Sequence, residues 1–341
     1  MMMMTRRAPD TPAAVHDLPD TGRRRLLAGA IGIAAAGISL PARAAWPEKP
    51  IRIIVTFPPG GSSDIFARIM AEHMGKRLGQ SVVVDNRPGA GGTIGAVAVM
   101  QAPPDGYTFM LSNSTPIALG PFAVERQPYD PVEAFTHVAN LGAAPLVIMA
   151  NPKAPFRTLA ELVAQAKKTG QLDFGSGGPG SIGHIHGELI KKIAGINLVH
   201  VPYRGGAPMT TDLIAGIIPC GIDVITAYLP FFKSGQLVPI AVTSSARSTL
   251  LPDVPSVVEA KYPQLVLENF FGLSGPAKLP ADIVARVHAT ANEVLALPEV
   301  RSKLADLAIT PGPMSTADFG TFVKGHVGTL GPLVKSAGVK L

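Results

Sequence analysis

Two kinds of apolar pattern alternate along the chain. Short runs rich in β-branched residues predict strands, and segments whose apolar residues recur every three or four positions predict helices. The predicted strands cover residues 51–57, 81–86, 107–113, 145–152, 172–177, 196–203, 240–244 and 270–277. The predicted helices cover residues 63–78, 91–102, 158–168, 182–194, 210–218 and most of 280–341. Strands that alternate with helices indicate a layered α/β protein.

Two of the strand-to-helix junctions share one design. Residues 55–70 (VTFPPGGSSDIFARIM) and 172–190 (LDFGSGGPGSIGHIHGELI) each pass from a strand through a glycine-rich turn with serines into a helix. Each junction would leave the first N–H groups of a helix uncovered at the carboxyl edge of a sheet, where their partial positive charge suits an anion. Because the junctions lie in separate halves of the chain, they predict one anion held between two lobes.

The first glycine-rich turn contains Gly60, Gly61, Ser62, Ser63 and Asp64. Glycines allow the backbone to approach a ligand closely, and serine hydroxyls can form hydrogen bonds with it. The alternative is a plain turn in which Ser62 caps the helix and Asp64 only favours the helix dipole. The residues alone leave both interpretations open.

The second turn reads GSGGPG at residues 175–180 and matches the glycine spacing of a dinucleotide-binding loop. That motif also requires an acidic residue after the next strand. The chain has Tyr203 and Arg204 there instead, and Pro179 is an unusual occupant of the loop, so we reject a dinucleotide site. Tyr203 could offer a hydroxyl and Arg204 a guanidinium to a carboxylate, or both could simply lie on an exposed loop.

The sequence predicts neither a hydrolase nor a metal site. The nucleophile elbow G-x-S-x-G is absent around Ser62 and Ser181. His184 and His186 are two positions apart and would face different sides of a helix, so they would not chelate one ion together. We therefore predict a protein that is not an enzyme and needs no cofactor or metal. The third strand ends in polar residues that include Asn113, at the sheet edge where ligands bind.

The first 44 residues have the order of an export signal. Three arginines at 23–25 precede an apolar run at 26–40 and small residues at 42–44. The run is shorter than the ~20 residues that span a bilayer, and the arginine–leucine arrangement resembles a twin-arginine signal. This predicts cleavage near Ala44 and a periplasmic protein, with an uncleaved anchor as the alternative. Whether residues 1–20 are translated stays open.

Composition excludes some partners. Without residues 1–44 the chain has 24 basic and 21 acidic residues, an excess too small for a nucleic-acid-binding surface. Cys220 is the only cysteine, so no internal disulfide can form, and its apolar neighbours predict a buried thiol. The hydrophobic content of 47% is enough for a large core in one or two domains.

Six ordered blocks of the chain resemble a known family. They read WPEKPIRIIVTFPPGGSSDIFAR, LGQSVVVDNRPGAGGTIGAVAV, PPDGYTFML, FGSGGPGSIGHIHGELI, VHVPYRGGAP and AVTSSARSTLLPDVPSVVE. Together they are similar to the Bug-type substrate receptors of tripartite tricarboxylate transporters, over about Trp46 to Leu341. The resemblance implies a two-lobed, type II-like periplasmic binding protein fold, in which each lobe is a mixed sheet flanked by helices.

The resemblance also implies where the lobes and the ligand lie. The first lobe would combine residues 45–148 with 272–341, and the second would be residues 149–271. Ligand loops of the family map onto Phe57 to Asp64 and onto Ser176 to His184, and Tyr203 and Asp223 line the same cleft by analogy. The predicted ligand-binding residues are Phe57, Gly60, Gly61, Ser62, Ser63, Asp64, Asn113, Ser176, Gly178, Ser181, His184, Tyr203 and Asp223.

The family implies partners as well: a small carboxylate ligand and the membrane subunits of a secondary transporter, with the receptor itself a monomer. A receptor that feeds a membrane sensor kinase would need the same ligand chemistry and remains an alternative, and an exported enzyme is a weaker one. Residues 216–223 depart from the Gly-Gln-Val-Asp usual in the family, so the sequence does not identify the carboxylate or the roles of Asp64 and Asp223 in choosing it.

Overall fold

The computed structural model describes residues 46–336 and 338–339. The predicted export signal therefore lies outside the described residues. Within them, no helix combines the length and the apolar character needed to cross a membrane.

In the described residues, nine strands form two mixed sheets that share one long strand. The strands are β1 (Ile51–Val55), β2 (Val82–Asn86), β3 (Thr108–Asn113), β4 (Phe135–Ala150), β5 (Leu172–Ser176), β6 (Leu198–Pro202), β7 (Cys220–Val224), β8 (Val238–Val242) and β9 (Glu268–Pro276). The first sheet has the order β2-β1-β3-β9-β4, in which β1 to β3 are parallel and β9 is antiparallel to β3 and β4. The second has β6-β5-β7-β4, with β8 also paired to β4. This is the α/β architecture that the sequence predicts.

Ten α-helices cover the sheets in the described part of the chain. They are α1 (Ser62–Leu78), α2 (Thr93–Met100), α3 (Gly120–Ala123), α4 (Leu159–Thr169), α5 (Ile182–Ala194), α6 (Gly206–Ala215), α7 (Leu229–Lys233), α8 (Ala281–Ala296), α9 (Pro298–Ala305) and α10 (Thr316–Ser336). Helix α1 places Phe66, Met70 and Met74 on one side, and all three are buried. Residues four apart share a helix face, so this stripe attaches α1 to the first sheet.

Two strands correct the predicted elements: β7 (Cys220–Val224) is absent from the prediction, and β4 is longer than predicted. The sequence predicts a strand at 145–152, whereas the strand begins at Phe135. Its first half contains buried His137 and Asn140 and has two register irregularities against β9. At the second irregularity Gly142 has a φ of 146°, a conformation that favours glycine. Buried polar residues and irregular register erase the period-two pattern by which a strand is recognised.

Two helix starts also differ from the prediction. Helix α6 begins at Gly206 and not at 210. Its first turn contains Pro208, which is tolerated there because the N–H groups of the first turn have no acceptor within the helix. The cap of α1 is Gly61, so Ser62 is the first helical residue and does not cap the helix. In contrast, α4 has a side-chain cap, because the Thr158 hydroxyl accepts a hydrogen bond from the Glu161 amide.

Candidate ligand cleft

The first turns of three helices meet at one cavity. Helix α1 contributes residues 61–63, α5 contributes residues 181–182, and α6 contributes residues 206–207. The full lining is Phe57, Pro58, Pro59, Gly61, Ser62, Ser63, Asn113, Thr115, Gly177, Ser181, Ile182, Gly206, Ala207, Asp223, Val224 and Asn269. Because the first N–H groups of a helix have no partner within the helix, three such ends make a region rich in donors and partial positive charge.

The walls of the cavity touch each other directly. The Ser62 hydroxyl donates to the Val224 carbonyl at 3.3 Å, and the Ile182 amide donates to the Thr115 hydroxyl at 3.2 Å. The cavity volume is about 50 Å³, whereas sites for small molecules usually measure roughly 300–1,000 Å³. A ligand larger than one or two waters therefore requires these walls to separate.

Asp64 lies beneath the first loop and fixes its shape. Its carboxylate accepts hydrogen bonds from the Gly60 amide at 3.0 Å, from the Arg68 guanidinium at 2.9 and 3.0 Å, and from the Asn86 amide at 3.0 Å. Burial disfavours the charged form, but these hydrogen bonds outweigh it and hold the pKa of the Asp64 carboxyl below its ordinary value. The side chain is buried and fully occupied, so its geometry is that of a positioning residue.

The second loop rests on two stacked histidines. The Gly180 amide donates to Nδ1 of His184 at 3.1 Å, and the His184 ring stacks on His200 with centroids 3.7 Å apart. His200 Nε2 lies 2.7 Å from the Ser176 hydroxyl, to which the Ser181 hydroxyl donates at 3.1 Å. Burial lowers the pKa of His184 to about 4 and that of His200 to about 3. At neutral pH both rings are therefore uncharged, and His184 Nδ1 is free to accept the loop amide.

Asp223 is the one titratable side chain that lines the cavity in the described part of the chain. Its carboxylate accepts hydrogen bonds from its neighbour's amide, Val224 N, and from the Tyr228 hydroxyl, both at 2.8 Å. Burial raises the pKa of the Asp223 carboxyl, and these two hydrogen bonds only partly oppose the rise. Unlike Asp64, it has no basic side chain within ion-pair distance among the described residues.

The thirteen residues predicted for the site divide into two groups. Seven of them line the cavity: Phe57, Gly61, Ser62, Ser63, Asn113, Ser181 and Asp223. The other six surround it: Gly60 and Asp64 support the first loop, Ser176 and His184 support the second, and Gly178 and Tyr203 line an adjoining hollow of about 420 Å³. The Tyr203 hydroxyl donates to Asp212 at 2.8 Å, away from the cavity.

Sequence reasoning missed several lining residues. Those absent from the predicted list are Pro58, Pro59, Thr115, Gly177, Ile182, Gly206, Ala207, Val224 and Asn269. Four of them, Pro58, Pro59, Gly177 and Ile182, fall inside the two loops that the family resemblance mapped. Gly206 and Ala207 were missed because the start of α6 was predicted four residues late; proline near a helix start was the signal that could have found them. Asn269 follows no local pattern, since it reaches the cavity only through the pairing of β9 with β4.

Two mixed sheets that share a long strand, with a cleft at helix N-termini, define the periplasmic binding protein fold. The chain belongs to the family of tripartite tricarboxylate transporter receptors. A family model described as "Tripartite tricarboxylate transporter family receptor" matches residues 66–339. The family suggested by the six sequence blocks is thus confirmed.

Individual relatives agree with this assignment. BugT of Bordetella pertussis is 36% identical over 314 residues, which are 91% of this chain and 96% of BugT. The structure of R. palustris Rpa4515 with adipate has a TM-score of 0.83 at 31% identity and covers 87% of this chain and 99% of Rpa4515. MatC (Rpa3494) from Rhodopseudomonas palustris with bound malate has a TM-score of 0.80 at 26% identity and covers 85% of this chain and 100% of MatC.

Proposed function

We propose that the protein is an extracytoplasmic solute receptor that captures a small carboxylate-bearing solute in the cleft and delivers it to the membrane subunits of a tripartite transporter. One observation carries the proposal: helices α1, α5 and α6 all begin at the same cavity. The amides of Ser62, Ser63 and Gly206 have no acceptor among the described residues. A carboxylate is the natural partner for such a group of donors.

Relatives with bound acids support the ligand class. Rpa4515 was solved with adipate and MatC with malate, and both ligands carry carboxylates. We extend that chemistry to this chain because its cavity presents backbone amides and serine hydroxyls, which suit any carboxylate end-group. The membrane subunits enter the proposal through the family to which the chain belongs.

The expected affinity follows from the number of donors. A hydrogen bond to a charged group contributes roughly 1.5–3 kcal/mol, so four such bonds would contribute roughly 6–12 kcal/mol. Association and side-chain ordering offset several kcal/mol of this. A net value of about 8 kcal/mol corresponds to a micromolar dissociation constant.

Ligand capture would use a hinge motion between two lobes. We propose that residues 45–148 and 272–341 form one lobe and residues 149–271 the other, so that the ligand touches both. Since the walls touch across the cavity through Ser62 and Val224, entry requires an open form, and the ligand would favour closure by replacing those contacts. The closed form would be recognised at the membrane. We also propose that export removes residues 1–44.

The experiment measures carboxylate binding by calorimetry and thermal shift, with adipate and malate as the first probes. Ser62→Leu and Ser181→Leu fill the cavity and each remove a hydroxyl, so binding should weaken at least 100-fold. Ser302→Leu is the matched control, since Ser302 is an exposed residue of α9. Circular dichroism verifies folding. Wild-type affinity in Ser62→Leu would refute the site.

A further inference from the structure

One carboxylate lies in a cavity that is otherwise built to receive an anion. Asp223 is the next-to-last residue of β7 and faces the backbone of two glycines. A methyl group built on Gly206 would lie 3.1 Å from Oδ2 of Asp223, and one built on Gly177 would lie 3.7 Å from it. It also lines a neighbouring hollow of about 220 Å³. The carboxylate is therefore accessible from the cleft on more than one side.

The hydrogen bonds of Asp223 are incomplete. A carboxylate can accept about four hydrogen bonds, and among the described residues this one accepts two, both from neutral donors, Val224 N–H and Tyr228 O–H. Asp64 supplies the contrast within the same molecule: it accepts from a guanidinium, a backbone amide and a side-chain amide. A partly buried carboxylate with unused acceptor capacity is costly unless something else supplies a donor.

A simple carboxylate ligand would make this cost larger. Burial already raises the pKa of Asp223, and a ligand carboxylate in the same small cavity would raise it further, because like charges at short range disfavour each other. A ligand that carries a hydroxyl or an ammonium group beside its carboxylate behaves differently. Its carboxylate can occupy the helix N-termini while its donor fills the open acceptor position of Asp223.

On the basis of the proposed function, we propose that Asp223 selects carboxylic acids that carry a hydrogen-bond donor, a hydroxyl or an ammonium group, next to the bound carboxylate. A hydroxyl and an ammonium group can both donate a hydrogen bond to Asp223, and they differ in charge, so the experiment decides between them. An ammonium would form a charge-assisted hydrogen bond and would gain more from Asp223 than a hydroxyl.

The other role open to Asp223 is to hold Tyr228, which is fully buried. Asparagine preserves the size of the side chain and one oxygen that can accept from Tyr228, so Asp223→Asn retains an acceptor for that contact. It removes the negative charge and replaces the oxygen that accepts the Val224 amide with an NH2 group. Asp212→Asn is the matched control: Asp212 also accepts a tyrosine hydroxyl, from Tyr203, and does not line the cavity.

The experiment compares acids that differ only at one carbon. Succinate, L-malate and L-aspartate carry hydrogen, hydroxyl and ammonium at C2, and propionate, L-lactate and L-alanine repeat the series with one carboxylate. For at least one series, calorimetry should give the donor-bearing acids at least tenfold tighter binding than the plain acid. Asp223→Asn should reduce the preference to threefold or less, with the greatest loss for the ammonium compound. Asp212→Asn should keep the preference.

Two results would overturn the inference while leaving the proposed function intact. The plain acids could bind wild-type protein as tightly as the donor-bearing acids, or Asp223→Asn could weaken every acid by the same factor. A different result would refute the proposed function itself and the inference with it: none of the six acids, nor adipate, would bind the folded protein.

Discussion

Acid should loosen the second ligand loop through His184. The pKa of this imidazole is lowered to about 4, first by burial and second by the positive charge of Lys191. Its neutral Nδ1 accepts the Gly180 amide, and a protonated ring could not. The protonated His184 ring would also stack on the neutral His200 ring, which carries no negative charge to offset it. The perturbation is therefore a fall in pH, with His184→Gln as the variant that cannot titrate.

Proton linkage gives the sign and the size of the change in the free energy of unfolding with pH. Between pH 6.5 and pH 4 the unfolded chain protonates this histidine while the folded chain does not, so the free energy of unfolding decreases as pH falls. The full contribution is present above pH 6.5. For a shift from 6.5 to about 4, about 2.5 kcal/mol is lost by about pH 4.5 and about 3.4 kcal/mol in all.

Urea unfolding at a series of pH values measures this loss. His184→Gln should flatten the dependence by about 2.5 kcal/mol between about pH 7 and pH 4.5, and it should weaken carboxylate binding at neutral pH by disturbing the loop. His137→Gln is the control: burial lowers the pKa of His137 to about 4 as well, but its ring contacts Ser274 and Pro131, and none of these three residues lines the cavity. It should flatten the same window and leave binding unchanged. A wild-type pH dependence in His184→Gln would refute the reasoning.

Two further predictions concern packing and the thiol. A methyl group on Gly183 would overlap the Ile222 carbonyl oxygen, so Gly183→Ala should destabilise the protein by roughly 1–3 kcal/mol in urea unfolding. Gly325 has open space around it, and Gly325→Ala should stabilise helix α10 by about 0.5–1 kcal/mol; equal effects of the two changes would contradict this. Cys220 is buried, and burial raises its thiol pKa to about 12, so Ellman's reagent should label it only after unfolding. Labelling of the folded protein would show that the thiol is accessible.

Local patterns determined the order of most elements. Helix α5 has the predicted bounds of 182–194, because its apolar residues are regular and Ser181 precedes it as a cap. The two glycine-rich turns were visible for the same reason: a strand, a turn and a helix start are all set by residues close together in sequence. Those turns do meet at one cavity, which supports the prediction of a shared site without testing which residues hold a ligand.

Long-range contacts decided the first half of β4. His137 and Asn140 look unsuited to a buried strand until Ser274 and Gly312 are found beside them, more than 130 positions away. The position of the third helix start also depends on the sheet: Gly206 follows β6, and β6 ends near the cavity because it pairs in parallel with β5.

The two aspartates show the division most clearly. The sequence by itself established that Asp64 follows a glycine-rich turn, because that fact depends on neighbours in the chain, whereas the strand Cys220–Val224 that carries Asp223 was not predicted. Arg68 is four residues from Asp64 on the same helix, so that ion pair is local, and only the tertiary structure decided that Asn86 joins it. The tertiary structure also decided that Asp223 lies in the cleft, where two neutral donors among the described residues reach it. The charge state and free lone pairs of a carboxylate depend on the donors that folding brings within 3 Å or so, and no local pattern records them.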